Sequence, residues 1–370
     1  MLTRRDFLKL IAASLAGTVA PARARPALAR SPALSPAPAA TPRAAEFVKA
    51  RGDQFVVGNQ RFPINGFNYY PRLHPWRTFN VGEWDAPATE RELALGVSLG
   101  ANVVRTFVDY PASLNTDPSR PPDVYFALLP QYIANLRAFI EIAGRLGLRV
   151  MVTLFDGADW EIYQPYSAWM AEEYLKQLLP PFVDDPRILC WDLQNEPDRA
   201  IRTIGAETVI PFFKRVSTQI RQMDANHLQT IGWIDRARGR YIPDLDPYLD
   251  FWCFHFYDKI DVLGDLIAFY KSVTIKPILL EEFGLATGGP GADGQHTELD
   301  QSLHYSRVYA LIEGYRLCGS VFWTLLDFPQ GLAGNPPLPD DSPENHYGIY
   351  RLDYSAKPVT GAVRYAWTAR

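Results

Sequence analysis

The stretch LPQYIANLRAFIEIAGRLGLRVMVTL, residues 129–154, combines one helix and one strand. From Leu129 to Ala143, apolar residues recur at steps of four and three, which is the spacing of one face of an α-helix. Gly147 then provides the stop that helices commonly use. The apolar run after it is typical of a buried strand. The stretch therefore predicts a helix over residues 129–146 that leads directly into a strand over residues 149–154.

The same alternation of strand-like and helix-like segments continues along the chain past residue 50. Gly58-Asn59 separates two short runs, 54–57 and 60–62, as in a small hairpin. Eight strands are predicted after it, at residues 64–68, 102–107, 149–154, 188–194, 229–233, 251–256, 278–282 and 320–323. Helices are predicted between most of them, at residues 89–99, 129–146, 169–183, 210–223, 262–273, 297–317 and near 358–367. The segment after the fifth strand, RARGRYIPDLDPY (236–248), has little helical character.

Strands that alternate with helices are parallel and are connected by crossover helices. Eight such units in about 320 residues favour an α/β fold of one closed (β/α)8 TIM barrel over an open doubly wound sheet. The first strand, INGFN (64–68), is not followed by the glycine-rich loop of dinucleotide-binding folds. We therefore predict a single barrel domain over residues 46–370.

Composition limits the class of protein. The chain has 370 residues, of which 47% are hydrophobic and 21% charged, and this excludes a disordered protein, a disulfide-dense mini-protein and a polytopic membrane protein. The net charge of -4 is unevenly placed, because residues 1–45 carry seven basic groups and one acid. The remaining chain is therefore acidic, which argues against nucleic acid as a partner.

The N-terminus has the features of a targeting segment. TRRDFLK (3–9) resembles the twin-arginine export signal, an apolar run follows at 10–20, and ALA (27–29) has the form of a cleavage site. The apolar run is too short for a stable membrane anchor. We expect a signal peptide over 1–29, a Pro/Ala-rich linker over 30–45, and a periplasmic or extracellular enzyme. A basic amphipathic first helix is the structural alternative.

The cysteines and histidines do not suggest a metal centre. Cys190, Cys253 and Cys318 each lie in or beside an apolar run, so buried thiols are expected. No two cysteines have metal-ligand spacing, and the six histidines are scattered. We therefore predict no metal and no cofactor, and we expect a monomer.

Polar side chains stand at the ends of several apolar strands. Arg105 ends the second strand, Glu196 follows the fourth, His255 lies on the sixth, and Glu281 and Glu282 end the seventh. In a parallel barrel these ends meet on one face, where active sites form. Two carboxylates about 5–5.5 Å apart suit retaining glycoside hydrolysis. Strand alternation would point one of Glu281 and Glu282 into the mouth and the other toward the helices, without deciding which.

Five motifs in order resemble family 5 of the glycoside hydrolases. They are GANVVR (100–105), WDLQNEP (191–197), FHFY (254–257), PILLEEFG (277–284) and FW (322–323). The resemblance covers roughly residues 50–370 and implies a barrel whose catalytic carboxylates lie on strands four and seven.

The resemblance also implies a role for individual residues. It makes Glu196 the acid/base and selects Glu282 over Glu281 as the nucleophile. The supporting residues that it implies are Asn195 at the sugar 2-hydroxyl, Arg105 and Tyr257 on the nucleophile, His255 near the acid/base or the sugar, and Trp323 under the sugar. Structural alternatives remain open for four of them: a core salt bridge for Arg105, a core histidine for His255, packing for Trp323 and a structural carboxylate for Glu196.

The substrate class is indicated less directly. Aromatic residues at or just beyond strand ends could stack on sugars or form loop core: Tyr69, Tyr70, Trp76, Trp160, Tyr163, Tyr166 and Trp233. Asp156 and Asp159 follow the third strand, where cellulases of the family often carry histidines, and the pattern resembles its mannan-directed members. We therefore expect an O-glycosyl hydrolase acting on β-linked mannan or manno-oligosaccharides. The alternatives are a β-glucanase, a transglycosylase and a non-catalytic carbohydrate-binding barrel.

Overall fold

The computed structural model describes residues 46–115, 127–158, 160–234, 241–288 and 296–368. The expected signal peptide and linker, together with Asp159, lie outside these residues, and so do residues 236–240 of the segment 236–248. The domain division therefore stays a prediction. Within the described ranges, no helix is long and apolar enough to cross a membrane.

The described chain contains eight strands of one sheet, three short strands before them and a pair of two-residue strands among them. In chain order they are β1 (Val48–Arg51), β2 (Gln54–Val57), β3 (Gln60–Arg61), β4 (Ile64–Asn68), β5 (Val103–Asp109), β6 (Leu114–Asn115), β7 (Ala127–Leu128), β8 (Arg149–Asp156), β9 (Ile188–Asn195), β10 (Leu228–Gly232), β11 (Trp252–Phe256), β12 (Ile278–Phe283) and β13 (Gly319–Phe322). The strands of the eight-stranded sheet are β4, β5 and β8 to β13. They correspond to the eight predicted strands, with ends that differ by at most two residues.

The eight strands form a closed parallel barrel. Their spatial order is β10, β9, β8, β5, β4, β13, β12 and β11. The two end strands of this order meet through backbone hydrogen bonds: Asp250 donates to the Gln229 carbonyl at 2.9 Å, and His255 donates to the Trp233 carbonyl at 2.6 Å. The predicted (β/α)8 barrel is confirmed.

Helices cover the outside of the barrel. They are α1 (Ala86–Val97), α2 (Tyr110–Ser113), α3 (Pro130–Arg145), α4 (Ala168–Leu178), α5 (Asp198–Ile204), α6 (Ala206–Met223), α7 (Ile242–Leu245), α8 (Leu263–Val273), α9 (Glu298–Gly314) and α10 (Val359–Thr368). Capping sets some of their ends, since Asp85 accepts a hydrogen bond from the Ala88 N–H and Thr297 forms a capping box with Asp300. Between β10 and β11 the described residues form one short helix, α7, in keeping with the weak helical pattern there.

The core has two layers that together fix the barrel. The larger layer lies between strands and helices, and the smaller one fills the lower barrel interior. At the bottom, the antiparallel sheet β1–β3 covers the open end, where Phe55 packs edge-on against Phe251 at 4.9 Å. Cys190, Cys253 and Cys318 are buried free thiols, as expected. The upper end is left for polar groups.

Candidate active site

Arg105 lies at the centre of the upper barrel and is fully buried. Its guanidinium donates to Glu282 at 2.5 Å, to Asp192 at 2.6 and 3.0 Å, to Asn195 at 3.0 Å and to Asn68 at 3.1 Å. Burial alone would lower the pKa of Arg105, but the surrounding carboxylates raise it above its ordinary value. Arg105 therefore organises the mouth of the barrel as a permanent positive charge.

A β-bulge brings two adjacent carboxylates into the barrel. In the pairing of β11 with β12, Phe254 lies opposite Leu280 but His255 lies opposite Glu282, so Glu281 is the extra residue. Glu281 consequently contacts Arg105 at 3.5 Å and His255 at 3.2 Å. The expectation that one of Glu281 and Glu282 points toward the helices is wrong, because the bulge interrupts the alternation.

Glu196 and Glu282 face one another across the mouth. An oxygen of each, together with a ring nitrogen of His255, lies within 4.8 Å of the other two. The Tyr257 hydroxyl donates to Glu282 at 2.9 Å, and the Arg199 guanidinium forms an ion pair with Glu196 at 2.5 Å. Both carboxylates are more than nine-tenths buried, so they interact in a medium that screens them poorly.

The backbone at Glu196 is held in an unusual conformation. Its φ of 48° lies in the left-handed region, which is unfavourable for a residue other than glycine. The Glu196 N–H donates to the Gly232 carbonyl at 2.8 Å and Pro197 precedes α5, and both hold this turn in place. Such strain clusters at functional sites, where it aims a side chain.

His255 bridges two carboxylates. Its Nδ1 lies 3.1 Å from Glu196 and its Nε2 lies 3.2 Å from Glu281. Burial would lower the pKa of His255, but the charge of Glu282 and the hydrogen bonds of Glu196 and Glu281 raise that pKa to about 10. At neutral pH the ring is therefore a cation that donates from both nitrogens.

The facing carboxylates respond differently to these neighbours. Burial raises the pKa of Glu282 above its usual range and the charge of Glu196 adds to this, although His255 and Arg105 oppose it. Burial would also raise the pKa of Glu196, but His255 and Arg199 hold it below its usual range. Two carboxylates this close oppose each other's ionisation, so the protonation of one depends on that of the other.

Asp192 supports the site from below and was not singled out from the sequence. It accepts hydrogen bonds from Arg105, from the Thr153 hydroxyl at 2.6 Å and from the Gly232 N–H at 3.1 Å. Burial and the charge of Glu281 raise the pKa of Asp192 to about 7. The available signal was a charged residue within the apolar strand WDLQN (191–195).

An aromatic cluster borders the carboxylates at β13. Trp323 is 7% exposed and lies edge-on to Tyr70, whose ring stacks on Trp76 at 4.8 Å. The Tyr70 hydroxyl donates to Asp156 at 3.0 Å. Burial and the nearby Asp109 raise the pKa of Asp156 to about 6. Asp156 lines a cavity of about 450 Å³ that also contains Glu196.

Two of the predicted substrate-binding residues lie elsewhere. The Tyr69 hydroxyl donates to Glu92 on α1 at 2.8 Å, and its ring stacks on Phe139 of α3. Trp233 is fully buried, lies edge-on to Phe213 of α6 and stacks on Tyr241. Both side chains point outward from the barrel wall, so the expectation that they line the site is wrong.

The mouth also contains the described group best placed to bind a metal ion. Among the described residues, Glu196, His255 and Glu282 bring three ligand atoms together. These donors are already engaged with one another and with Arg105, Tyr257 or Arg199. Arg105, Arg199 and protonated His255 balance the negative charge of these carboxylates, and the arrangement suits acid–base chemistry.

Comparison with known proteins agrees with this geometry. The family model described as cellulase, glycosyl hydrolase family 5, matches residues 63–324. The chain belongs to glycosyl hydrolase family 5. It is accordingly an O-glycosyl hydrolase that acts on polysaccharide substrates, and the predicted enzyme class is confirmed.

Similar proteins include plant enzymes named mannan endo-1,4-β-mannosidase. Enzyme 2 of Oryza sativa subsp. japonica is 24% identical over 340 residues, which cover 72% of this chain and 73% of the rice protein. Enzyme 1 of Arabidopsis thaliana is 23% identical and the match covers 78% of this chain and 84% of the relative. At these identities the similarity is distant but extends over the barrel.

Solved structures share the fold. An exo-β-1,4-mannosidase from Opitutaceae bacterium strain TAV5 has a TM-score of 0.66 at 18% identity, covering 88% of this chain and 61% of that one. A β-glucuronidase of Bacteroides uniformis has a TM-score of 0.63 at 15% identity, covering 87% and 37%. This chain therefore spans less than two thirds of both solved chains, and the likeness shows the barrel alone.

Proposed function

We propose that this chain is a retaining β-glycosidase that cleaves β-linked mannan or manno-oligosaccharides, with Glu282 as nucleophile and Glu196 as acid/base. The observation that carries the proposal is the approach of the two carboxylates to within 4.8 Å. Retaining enzymes hold the pair about 5–5.5 Å apart, whereas inverting enzymes leave about 6.5–9.5 Å for a water molecule.

The hydrogen-bond donors divide the two roles. Arg105 and Tyr257 donate to Glu282 and aim an ionised oxygen at the anomeric carbon. As the bond between the Glu282 oxygen and the anomeric carbon forms, the bond from that carbon to the leaving oxygen breaks, and Glu196 gives the leaving oxygen its proton. Glu196 then takes a proton from water, which attacks the anomeric carbon and releases Glu282.

For this mechanism Glu196 must be protonated when substrate is bound. In the free site Arg199 opposes this, because its charge favours ionised Glu196. The Arg199 side chain is 73% exposed and can move away as the leaving group arrives. Positive charge that develops on the sugar also favours ionised Glu282 over ionised Glu196.

Two further residues are proposed to bind the sugar. The Asn195 oxygen accepts from Arg105, which leaves the amide N–H groups to donate to a hydroxyl such as the sugar 2-hydroxyl. Trp323 offers a ring at the mouth on which the sugar can lie. Asp156 lines the cavity that contains Glu196 and is proposed to accept from other hydroxyls.

Mannan is the proposed substrate on two grounds. The plant relatives are named for mannan, and the segment after β8 differs from the histidine-rich form common among cellulases. A β-glucan remains the alternative that the assay must exclude.

The test is hydrolysis by the chain from about Arg30 onward, offered aryl β-mannoside, aryl β-glucoside, mannan and cellulose. We expect release from mannoside and mannan that Glu282→Ala abolishes and the exposed control Glu313→Ala retains. ¹H NMR of the first product should show the β-anomer. Activity on the glucoside alone would overturn the substrate, and the α-anomer would overturn the mechanism. Near-normal turnover in Glu282→Ala would refute the assignment.

We also propose that the chain is exported by the twin-arginine route to the periplasm or the medium, as a monomer. The support is the sequence TRRDFLK with its apolar run and small-residue cleavage site.

A further inference from the structure

The segment 327–347, which follows β13, is anchored across the mouth of the barrel. Asn335 donates to Asp109 at the end of β5 at 3.1 Å. Asn345 donates to the carbonyls of Phe328 and Pro329 at 3.1 and 3.0 Å, which closes the segment on itself. The segment thus spans the sector from β13 past β4 to β5.

A buried cation fixes the base of this segment. Lys357 is 2% exposed, and its Nζ donates to Asp327 at 2.8 Å, to Thr287 at 2.9 Å and to the His346 carbonyl at 3.2 Å. Burial lowers the pKa of Lys357, and the pairing with Asp327 opposes that effect. A buried pair of this kind holds the segment in one position because breaking it leaves an unpaired charge.

The space beneath the segment is filled by side chains. Phe328 and Ala333 of the segment are buried with Tyr70, Phe107 and Trp323. Trp76 closes the outer side and lies 5.4 Å from Phe328, ring centre to ring centre. A glycan chain that continued past Trp323 in this direction would have to displace packed aromatic rings.

Glu344 is the carboxylate that this segment brings to the site. It lies in the short 3₁₀ turn Pro343–Asn345, and its Oε2 accepts a hydrogen bond from Trp323 Nε1 at 3.3 Å. Within the described part of the chain, this is the only hydrogen bond of the carboxylate. Burial and the nearby Glu282 raise the pKa of Glu344 to about 7. The residue therefore has spare acceptor capacity beside the proposed nucleophile.

The position of Glu196 indicates which end of the cleft the segment closes. A general acid lies on the leaving-group side of the scissile bond, and Arg199 and Thr203 of α5 line the cavity that contains Glu196. Asn335 of the segment and Trp76 also line this cavity, while Phe328 and Ala333 of the segment pack with Trp323, the proposed platform for the sugar to be removed. The closed end is therefore the end that holds the sugar to be removed.

We propose that the segment 327–347 makes the enzyme exo-acting, and that Glu344 accepts hydrogen bonds from the hydroxyls of a non-reducing terminal sugar lying on Trp323. This inference rests on the proposed function and specifies its substrate. In a 1,4-linked chain only the non-reducing terminal unit has a free 4-hydroxyl. A half-buried carboxylate at the closed end can accept from that hydroxyl, whereas the extra sugar of an internal unit would meet the wall.

The experiment follows products of mannohexaose labelled at its reducing end. Wild type should first yield labelled pentaose and then tetraose. Glu344→Gln keeps the side-chain volume and the acceptor for Trp323 but removes the charge. It should lower kcat/KM about 10- to 100-fold, the range expected for loss of charged hydrogen bonds. Asp340→Asn removes the same charge from an exposed position of the segment and should match wild type.

A hexaose capped as its 4-O-methyl ether at the non-reducing end should resist wild type. Labelled biose or triose as the first product, or a capped hexaose that is cut as fast as the free one, would overturn exo action. Equal kcat/KM in Glu344→Gln and Asp340→Asn would overturn the role of Glu344. Hydrolysis of aryl β-mannoside that is lost in Glu282→Ala keeps the proposed function intact in either case. If wild type hydrolyses none of these substrates, both proposals fail.

Discussion

Gly232 at the end of β10 offers a direct test of the buried ion cluster. A Cβ at this position would lie 2.5 Å from Glu281 Oε2, 2.9 Å from His255 Nε2 and 3.0 Å from Arg105 Nη2. The backbone is held on both sides, since the Gly232 N–H donates to Asp192 and the Gly232 carbonyl accepts from the Glu196 N–H. In Gly232→Ala, Glu281 must therefore move by at least 0.5 Å to restore a 3.0 Å contact.

The expected cost combines two effects. Overpacking a filled interior costs about 1–3 kcal/mol, and a disturbed buried ion pair forfeits part of the roughly 3–5 kcal/mol that breaking it would cost. We expect the free energy of unfolding to fall by about 2–4 kcal/mol, equivalent to roughly 3–6 °C in Tm for a domain of this size. Because Arg105 also holds Glu282, kcat should fall about tenfold or more.

The assay compares urea unfolding, Tm and turnover of aryl β-mannoside in Gly232→Ala and Gly361→Ala. Gly361 on α10 has no neighbour within 4 Å of a built Cβ, so its alanine variant controls for the added methyl group. If Gly232→Ala matched Gly361→Ala in both stability and kcat, the claim that the ion cluster around Arg105 leaves no room for a methyl group at Gly232 would be refuted.

Two further predictions concern the facing carboxylates. Arg199→Gln removes a charge that favours ionised Glu196, so the pKa of Glu196 should rise and the alkaline limb of the pH profile of kcat/KM should move to higher pH. The control Arg202→Gln, on the same helix, should leave that limb in place. If the limb stayed in place in Arg199→Gln as well, the pairing of Arg199 with Glu196 would be contradicted. Tyr257→Phe removes a donor from Glu282 and should lower kcat about 10- to 100-fold, because a hydrogen bond to a charged group contributes about 1.5–3 kcal/mol. Stopped assays with aryl β-mannoside measure this, and a kcat within twofold of wild type would refute the contact.

The barrel could be predicted from the sequence because its signal is repeated. Each strand is an apolar run, and helical spacing follows most of them, so one weak unit did not change the result. The segment at 236–248 is the exception, and its described part contains the four-residue α7. The barrel was therefore predictable from the repetition of the strand–helix unit and did not depend on a clear helical pattern in any single unit.

The site was less predictable wherever backbone geometry departed from a regular strand. The alternation of side chains along a strand assumes that each residue pairs with one residue of the neighbouring strand. The bulge in β12 inserts one extra residue, Glu281, and its side chain therefore turns inward beside Glu282. Tyr69 follows its strand directly but points outward to Glu92. Glu344 comes from a loop far along the chain, and nothing in its local sequence distinguishes it from an exposed acid.

The sheet β1–β3 has a practical consequence for any shortened version of this protein. The family match begins at residue 63, yet the bottom of the barrel is sealed by residues before it. Arg149 donates to the Glu46 carbonyl and Lys49 to the Asn226 carbonyl, so this cover is fastened on two sides. An expression clone cut at the family boundary would uncover Phe251 and the apolar strand starts around it. Such an exposed patch favours aggregation, so clones should start upstream of Glu46.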